Sequence, residues 1–390
     1  MLNILIVTQQ QYPHVGGMST HIGYLLEGLK DLNIKTGVVA GRGGQPRWSK
    51  LLKKAMALGN RDRYARRLFE EQISQLADEI EKKVGEFKPR IIHCHDVFAA
   101  RATLMAFADN PRPIILTVHG PMLYEARQNH DYRPKYEAHI MESERLAYAR
   151  TSRLITVDTG QANILKKDYG VPDERITIIH NCIDVEAVRK ISSRDTMLAP
   201  GKPFFLVPRR LVPKTGVMYA IAALSQIKSS EVHLVIAGDG PLRKKLSAMA
   251  RQLGISDRVH FLGSVPRELL LPLFSRAMAV LVPSVPTNGV VEATSLAVLE
   301  AMAGGTVPIA SRIGGLAEII EDQKTGLLVE PSDAKGLAAA MILALNDTPL
   351  REHIIEEASN KVESEYSLPR WIGKIVRVYK SVIRPEIIYY

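Results

Sequence analysis

Pro113-Ile114-Ile115-Leu116-Thr117-Val118-His119 is an unbroken run of apolar and β-branched residues closed by a histidine. Arg90-Ile91-Ile92-His93-Cys94-His95-Asp96 has the same form, and similar runs stand at 3–9, 35–41, 153–158 and 175–181. Short continuous apolar runs of this kind read as strands buried on both faces, as in a parallel sheet. Helix-like intervals at 20–32, 64–85 and 135–149 lie between them. The alternation predicts a doubly wound α/β domain. It breaks in a polar stretch over about 185–202 that ends near Pro200, Gly201 and Pro203, and then restarts. The second series falls at 204–208, 232–238, 259–263, 279–283, 307–311 and 326–330. Two Rossmann-like α/β domains facing across a cleft are therefore expected, over 1–190 and 200–366, joined by the polar linker.

Composition agrees. A chain of 390 residues, 46% hydrophobic and 24% charged, has room for two globular domains and excludes collagen and disorder. Cys94 and Cys182 are too few for a disulfide framework or a cysteine-rich zinc site, which fits a thiol-reduced cytoplasmic setting. No leader pattern opens the sequence, and no run approaches the ~20 apolar residues of a membrane span. The net charge of +10 raises the alternative of a nucleic-acid-binding protein. No reader motif accompanies it, so no nucleic-acid partner is expected. The excess concentrates in 42–67, where Arg42, Arg47, Lys50, Lys53 and Lys54 are interleaved with Trp48, Leu51, Leu52 and Met56. Such a segment can lie on an anionic membrane surface or meet an acceptor.

Ligands of open α/β sheets bind beyond the carboxyl ends of the strands, so the chemistry belongs in the loops that follow them. Gly16 and Gly17 precede a helix after the first strand, where backbone N–H groups can approach a phosphate; Ser19 or Thr20 as an ordinary helix cap is the plainer reading. No G-x-G-x-x-G follows that strand, which disfavours a dinucleotide enzyme. His95 and His119 close two strands and suit a polar substrate, while His93 suits a satisfied core position. Two histidines without an indicated third ligand predict no metal site. Arg209, Arg210 and Lys214 follow the first strand of the second domain, a place for cations that neutralise a diphosphate. Glu292 stands in a loop and Glu300 within a helix that Thr294 or Ser295 can cap and Gly304-Gly305 ends. Glu300 has Leu296, Ala297, Ala303 and Gly304 at its helical neighbours, an apolar surface on which a carboxylate is costly unless it binds something. Free N–H groups at Thr294, Ser295 and Leu296 add an anion site.

Glu292 and Glu300, with seven residues between them, resemble the E-x7-E signature of retaining GT-B-fold glycosyltransferases of the group 1 (family 4) type. In matching order stand Gly16-Gly17, Asn181 and Asp184, Arg210-Leu211-Val212-Pro213, Gly238-Asp239-Gly240-Pro241, Pro283-Ser284 and Gly314-Gly315-Leu316-Ala317-Glu318. The resemblance implies a nucleotide diphosphate-sugar donor, a saccharide, lipid-linked or small-molecule acceptor, and no cofactor or required metal. It implies that Gly16 and Gly17 approach the donor phosphates and that Arg210 neutralises the diphosphate. Glu300 would hold the ribose, Glu292 and His119 the donor sugar, and Ser295 and Leu296 the phosphate, with Gly263 and Val265 beside the base. A terminal helix over 367–390 would cross back to the N-terminal domain. Thr215 stands where the family has a phosphate-binding lysine, and Lys214 or Arg209 would take over its task. The nearest enzymatic alternative is a nucleotide-sugar epimerase of similar two-domain form.

Overall fold

The computed structural model describes residues 2–14, 16–41, 61–108, 112–123, 134–287 and 291–383. The chain divides into two compact units, Met1–Ile179 with Ile372–Tyr390, and His180–Trp371.

The first unit holds β1 (Asn3–Thr8), β2 (Lys35–Ala40), β3 (Ile91–Cys94), β4 (Ile114–Val118), β5 (Arg153–Thr156) and β6 (Ile176–Ile178). They form one sheet in the order β2-β1-β3-β4-β5-β6, with every pairing parallel. Ile4, Leu5, Ile6 and Val7 are each fully buried, because successive side chains point to opposite faces and both faces are covered. On one face Leu5, Val7, Ile92 and Leu116 pack with Phe69, Ile73 and Ile80 of the helix Arg61–Phe87. Elsewhere in the unit Gly28 of the helix Gly17–Asp31 meets Ile372 so closely that a methyl group there would lie 3.0 Å from its side chain.

The second unit holds β7 (Phe204–Val207), β8 (His233–Ala237), β9 (Val259–Gly263), β10 (Ala279–Val282), β11 (Pro308–Ser311) and β12 (Leu327–Val329). The sheet order is β12-β11-β10-β7-β8-β9, again parallel throughout. Strand order reverses between β10 and β7 here, and between β1 and β3 in the first unit. Such switch points open a crevice at the carboxyl ends of the strands.

Two expectations change. The polar stretch begins as a helix, Val185–Ser192, whose N-cap Asp184 accepts from the Ala187 N–H at 2.9 Å. Its few apolar residues, Val185 and Val188, are buried, which a mainly polar composition concealed. The unit boundary accordingly falls at Ile179, not at 190, because Ile183 pairs with the backbone around Tyr366 and Leu368. Among the described residues no helix is long and apolar enough to cross a membrane. Residues 42–60, most of the basic segment, lie outside those described.

Candidate active site

In the second unit the chain leaves β7 at Arg209 and β10 at Ser284, on the two sides of the switch point. The Arg209 guanidinium reaches Glu292 at 2.8 Å, with the two side chains only 11% and 15% exposed. It also donates to Ser284 Oγ at 3.1 Å and Ser295 Oγ at 3.2 Å, and Ser284 Oγ donates to Glu292 at 3.3 Å. Arg209 Nε is buried with no hydrogen-bond partner, a donor left over after the protein's own acceptors are served.

Backbone packing fixes this loop. A side chain at Gly314 would strike the Glu292 carbonyl and one at Gly315 the Ala293–Thr294 backbone, while Gly315 N–H donates to Glu292 O at 3.0 Å. Asn181 donates to Thr294 O at 3.2 Å. Gly216, at φ +63°, turns the chain so tightly that a methyl group would sit 1.8 Å from Pro283 O. The paired glycines and the asparagine of the sequence motifs thus position the acidic loop.

Glu300 lies in the helix Leu296–Ala303 and is 9% exposed. Arg267 answers the cost of burying it, with Nε 2.9 Å from the carboxylate. Burial still pushes the Glu300 carboxyl above its usual range, with Arg267 opposing. Gly263, at φ +72°, and half-exposed Val265 lead from β9 into the helix Arg267–Phe274 that supplies this partner. Helix Leu296–Ala303 starts after Ser295, but no side chain caps it, since Ser295 Oγ is engaged by Arg209. Leu296 opens the helix, half-buried, and Thr294 is buried just before it.

Among the described residues, Arg209 is the one of the three cations following β7 whose side chain pairs with the acidic loop. Arg210 is exposed. Lys214 is half-buried, its carbonyl accepting from Val285 N–H at 2.9 Å. Thr215 is buried and closes its own turn onto the Arg210 and Val212 carbonyls, both at 2.8 Å.

In the first unit Gly16 is the N-cap of the helix Gly17–Asp31, at φ +154° and without a capping side chain. Ser19 instead accepts from His14 N–H, and Thr20 donates back to Gly16 O. A side chain at Gly17 would meet nothing within 4 Å. His95 and His119, after β3 and β4, approach each other at 3.3 Å from Nδ1 to Nε2. The expectation of only two histidines fails, because His21 from the first helix comes within 4.8 Å of both. His93 is the satisfied core residue, held by Tyr379 and Thr117 at 2.7 Å each. Burial holds His93 down to about 3, and it holds His95 and His119 well below the usual imidazole range, with neighbouring histidines adding to the effect.

Sequence reasoning missed His21 and Arg267. His21 has the helical spacing of a core residue, and Arg267 is remote from Glu300 along the chain. Only the quoted Pro283-Ser284 pair hinted at Ser284.

Two family models divide the chain, Glycosyltransferase Family 4 over residues 15–187 and Glycosyl transferases group 1 over 188–361. The chain belongs to these glycosyltransferases. An uncharacterized glycosyltransferase of Methanocaldococcus jannaschii is 29% identical over 317 residues, covering 78% of this chain and 79% of the relative. Glycogen synthase of Mycobacterium tuberculosis is 28% identical, covering 78% and 72%. Among solved structures, sucrose-phosphate synthase of Thermosynechococcus elongatus superposes with a TM-score of 0.77 at 18% identity, covering 98% of this chain and 99% of that one. The glycosyltransferase therefore has the GT-B fold.

Proposed function

We propose that this glycosyltransferase moves a sugar from a nucleotide diphosphate donor to a saccharide, lipid-linked or small-molecule acceptor with retention of anomeric configuration. The observation that carries the reading is the buried Arg209–Glu292 pair at the switch point, with Ser284 and Ser295 around it and Arg209 Nε unpartnered. A guanidinium with an unused donor beside an uncapped helix start is chemistry suited to a leaving diphosphate. Anabaena HepE, similar in fold at a TM-score of 0.73, has been solved in complex with UDP, which supports a nucleotide-sugar donor here.

In this reading Arg209 carries the charge that the sequence assigned to Arg210, because Arg209 faces the acidic loop and Arg210 faces solvent. Arg210 and Lys214 would serve the outer phosphate oxygens, and Gly16 and Gly17 the phosphates from the first unit. Glu292 and His119 would hold the sugar and Glu300 the ribose, with Gly263 and Val265 at the base. The bond from the anomeric carbon to the diphosphate oxygen breaks while the acceptor oxygen bonds on the same face. The acceptor's proton passes to the departing diphosphate. Protein cations balance the charge, so the reaction needs no metal. The setting is cytoplasmic, at the inner face of the membrane if 42–67 meets a lipid-linked acceptor.

A screen of nucleotide sugars with the purified chain, followed by NMR of the product's anomeric proton, tests the reaction. Glu292→Gln and Arg209→Ala are expected to lower turnover by about 10²–10³-fold each, the scale for removing one electrostatic group from a transition state. Near-normal transfer by both folded variants, or an inverted product, would refute the proposal. An isomerised nucleotide sugar formed without acceptor would identify an epimerase.

A further inference from the structure

The three histidines of the first unit have a property that sugar transfer does not use. They come from three separate elements, the first helix, the end of β3 and the end of β4, and converge beside the β1/β3 switch point. His21 is 4% and His95 1% exposed, while His119 is partly exposed. Zinc holds imidazole nitrogens at about 2.0–2.1 Å, which in a tetrahedron separates them by about 3.3–3.4 Å. His95 Nδ1 and His119 Nε2 already stand at 3.3 Å, and one donor nitrogen from each ring lies within 4.8 Å of the others.

His95 carries the argument further. Its Nε2 is buried without a hydrogen-bond partner, and its other nitrogen has only the long contact to His119. Neither nitrogen is committed to a strong partner. A neutral imidazole offers its lone pair on one of the two, so an ion takes either Nδ1, at its 3.3 Å spacing from His119 Nε2, or the unpartnered Nε2. That is a need for a partner that the protein does not supply. His93 cannot meet it, since both of its nitrogens are taken by Tyr379 and Thr117. The neighbouring carboxylate cannot either, because Asp96 is committed to Thr8, Gln9 N–H and Ala99 N–H.

We infer that His21, His95 and His119 form a binding site for a divalent transition metal of the zinc class, with a fourth, open position on the side where His119 is exposed. Burial disfavours the imidazolium of His95 and His119, and the neutral imidazole is the form that binds metal. An all-nitrogen set selects zinc, copper or nickel over magnesium and calcium, which take oxygen ligands. In the proposed reaction, metal on His119 removes that ring from the donor sugar, so zinc acts as an inhibitor that a chelator relieves. That last clause rests on the proposed function; the binding does not.

The test uses the full chain without a histidine tag, stripped of metal by a chelator and titrated with Zn²⁺ by calorimetry and Co²⁺ by visible absorption. One ion per chain is expected, with the intense absorption of four-coordinate cobalt. His21→Asn and His95→Asn should each weaken binding by more than about 100-fold, beyond the loss typical for residues one shell further out. His233→Asn is the control. It removes half of the half-exposed His233–His260 pair, whose rings touch at 2.7 Å, and should leave binding unchanged. X-ray absorption of the wild-type zinc complex counts three imidazoles whether or not the variants fold. Binding that survives both first variants, binding lost with His233→Asn, or fewer than three imidazoles overturns the assignment. Zinc binding with no effect on transfer would leave the site standing and refute the role given to His119.

Discussion

Replacing Arg209 by methionine removes the cation from a carboxylate that cannot turn to water. The pair is 2.8 Å apart, and both side chains are at least about five-sixths covered. At an effective dielectric of ~20 the gross attraction at that distance is about 6 kcal/mol, much of it offset by desolvating two ions. Breaking such a buried pair from one side costs about 3–5 kcal/mol, since the survivor stays buried and unpaired. Arg209→Met also leaves Ser284 and Ser295 without their donor. Glu292→Gln keeps an acceptor for Ser284 and should cost less. The double variant should be more stable than the sum of the single losses by about 1–3 kcal/mol. Urea unfolding followed by Trp371 fluorescence in a Trp48→Phe background reports on the second unit, where Trp371 is 2% exposed. Constant m-values would show that the midpoint shifts are stability changes. Additivity within about 0.5 kcal/mol would mean that the two side chains are not coupled, and would refute the account of the site.

Two glycines make a matched pair. Gly170 and Gly216 have φ of +66° and +63°, but a methyl group meets nothing within 4 Å at the first and Pro283 O at 1.8 Å at the second. Gly170→Ala should cost about 1–2 kcal/mol from backbone strain alone, and Gly216→Ala a further 1–3 kcal/mol from the clash, visible as a larger fall in Tm. Equal losses would contradict the packing at Pro283. Acid should destabilise the first unit. His93 is held near 3 in the folded state, so the unfolded chain takes up its proton first as pH falls. Its contribution is complete above pH ~6.5 and is lost between ~6.5 and 3, at up to about 1.4 kcal/mol per pH unit. His95 and His119, shifted the same way, steepen that loss. Stability in the first unit that stayed flat between pH 7 and 5 would show that these imidazoles are not buried as neutral groups.

The twelve strands among the described residues each fall in an expected run. The central ones were legible because parallel strands covered on both faces are continuously apolar, while the partly exposed edge strands β2 and β6 were marked by their β-branched residues. The helix Val185–Ser192 was not, since eight mostly polar residues with two buried valines carry little periodic signal. Gly314 and Gly315 were visible as a motif, but their service to Glu292 was not, because that contact is backbone against backbone.

The site shows the same division. Residue types and order along the chain marked Glu292, Glu300, His119 and a basic turn after β7, and with them the family. Whether Arg209 or Arg210 meets the acidic loop depends on the direction of the chain as it leaves the strand, where no regular period operates. Arg267 reaches Glu300, and His21 reaches His95 and His119, only because sheet order sets remote segments side by side. Sequence by itself determined the buried strands and the chemical inventory, since burial and residue type are local demands. Tertiary structure decided which charges pair and which histidines converge, because those depend on distances between segments far apart in the chain.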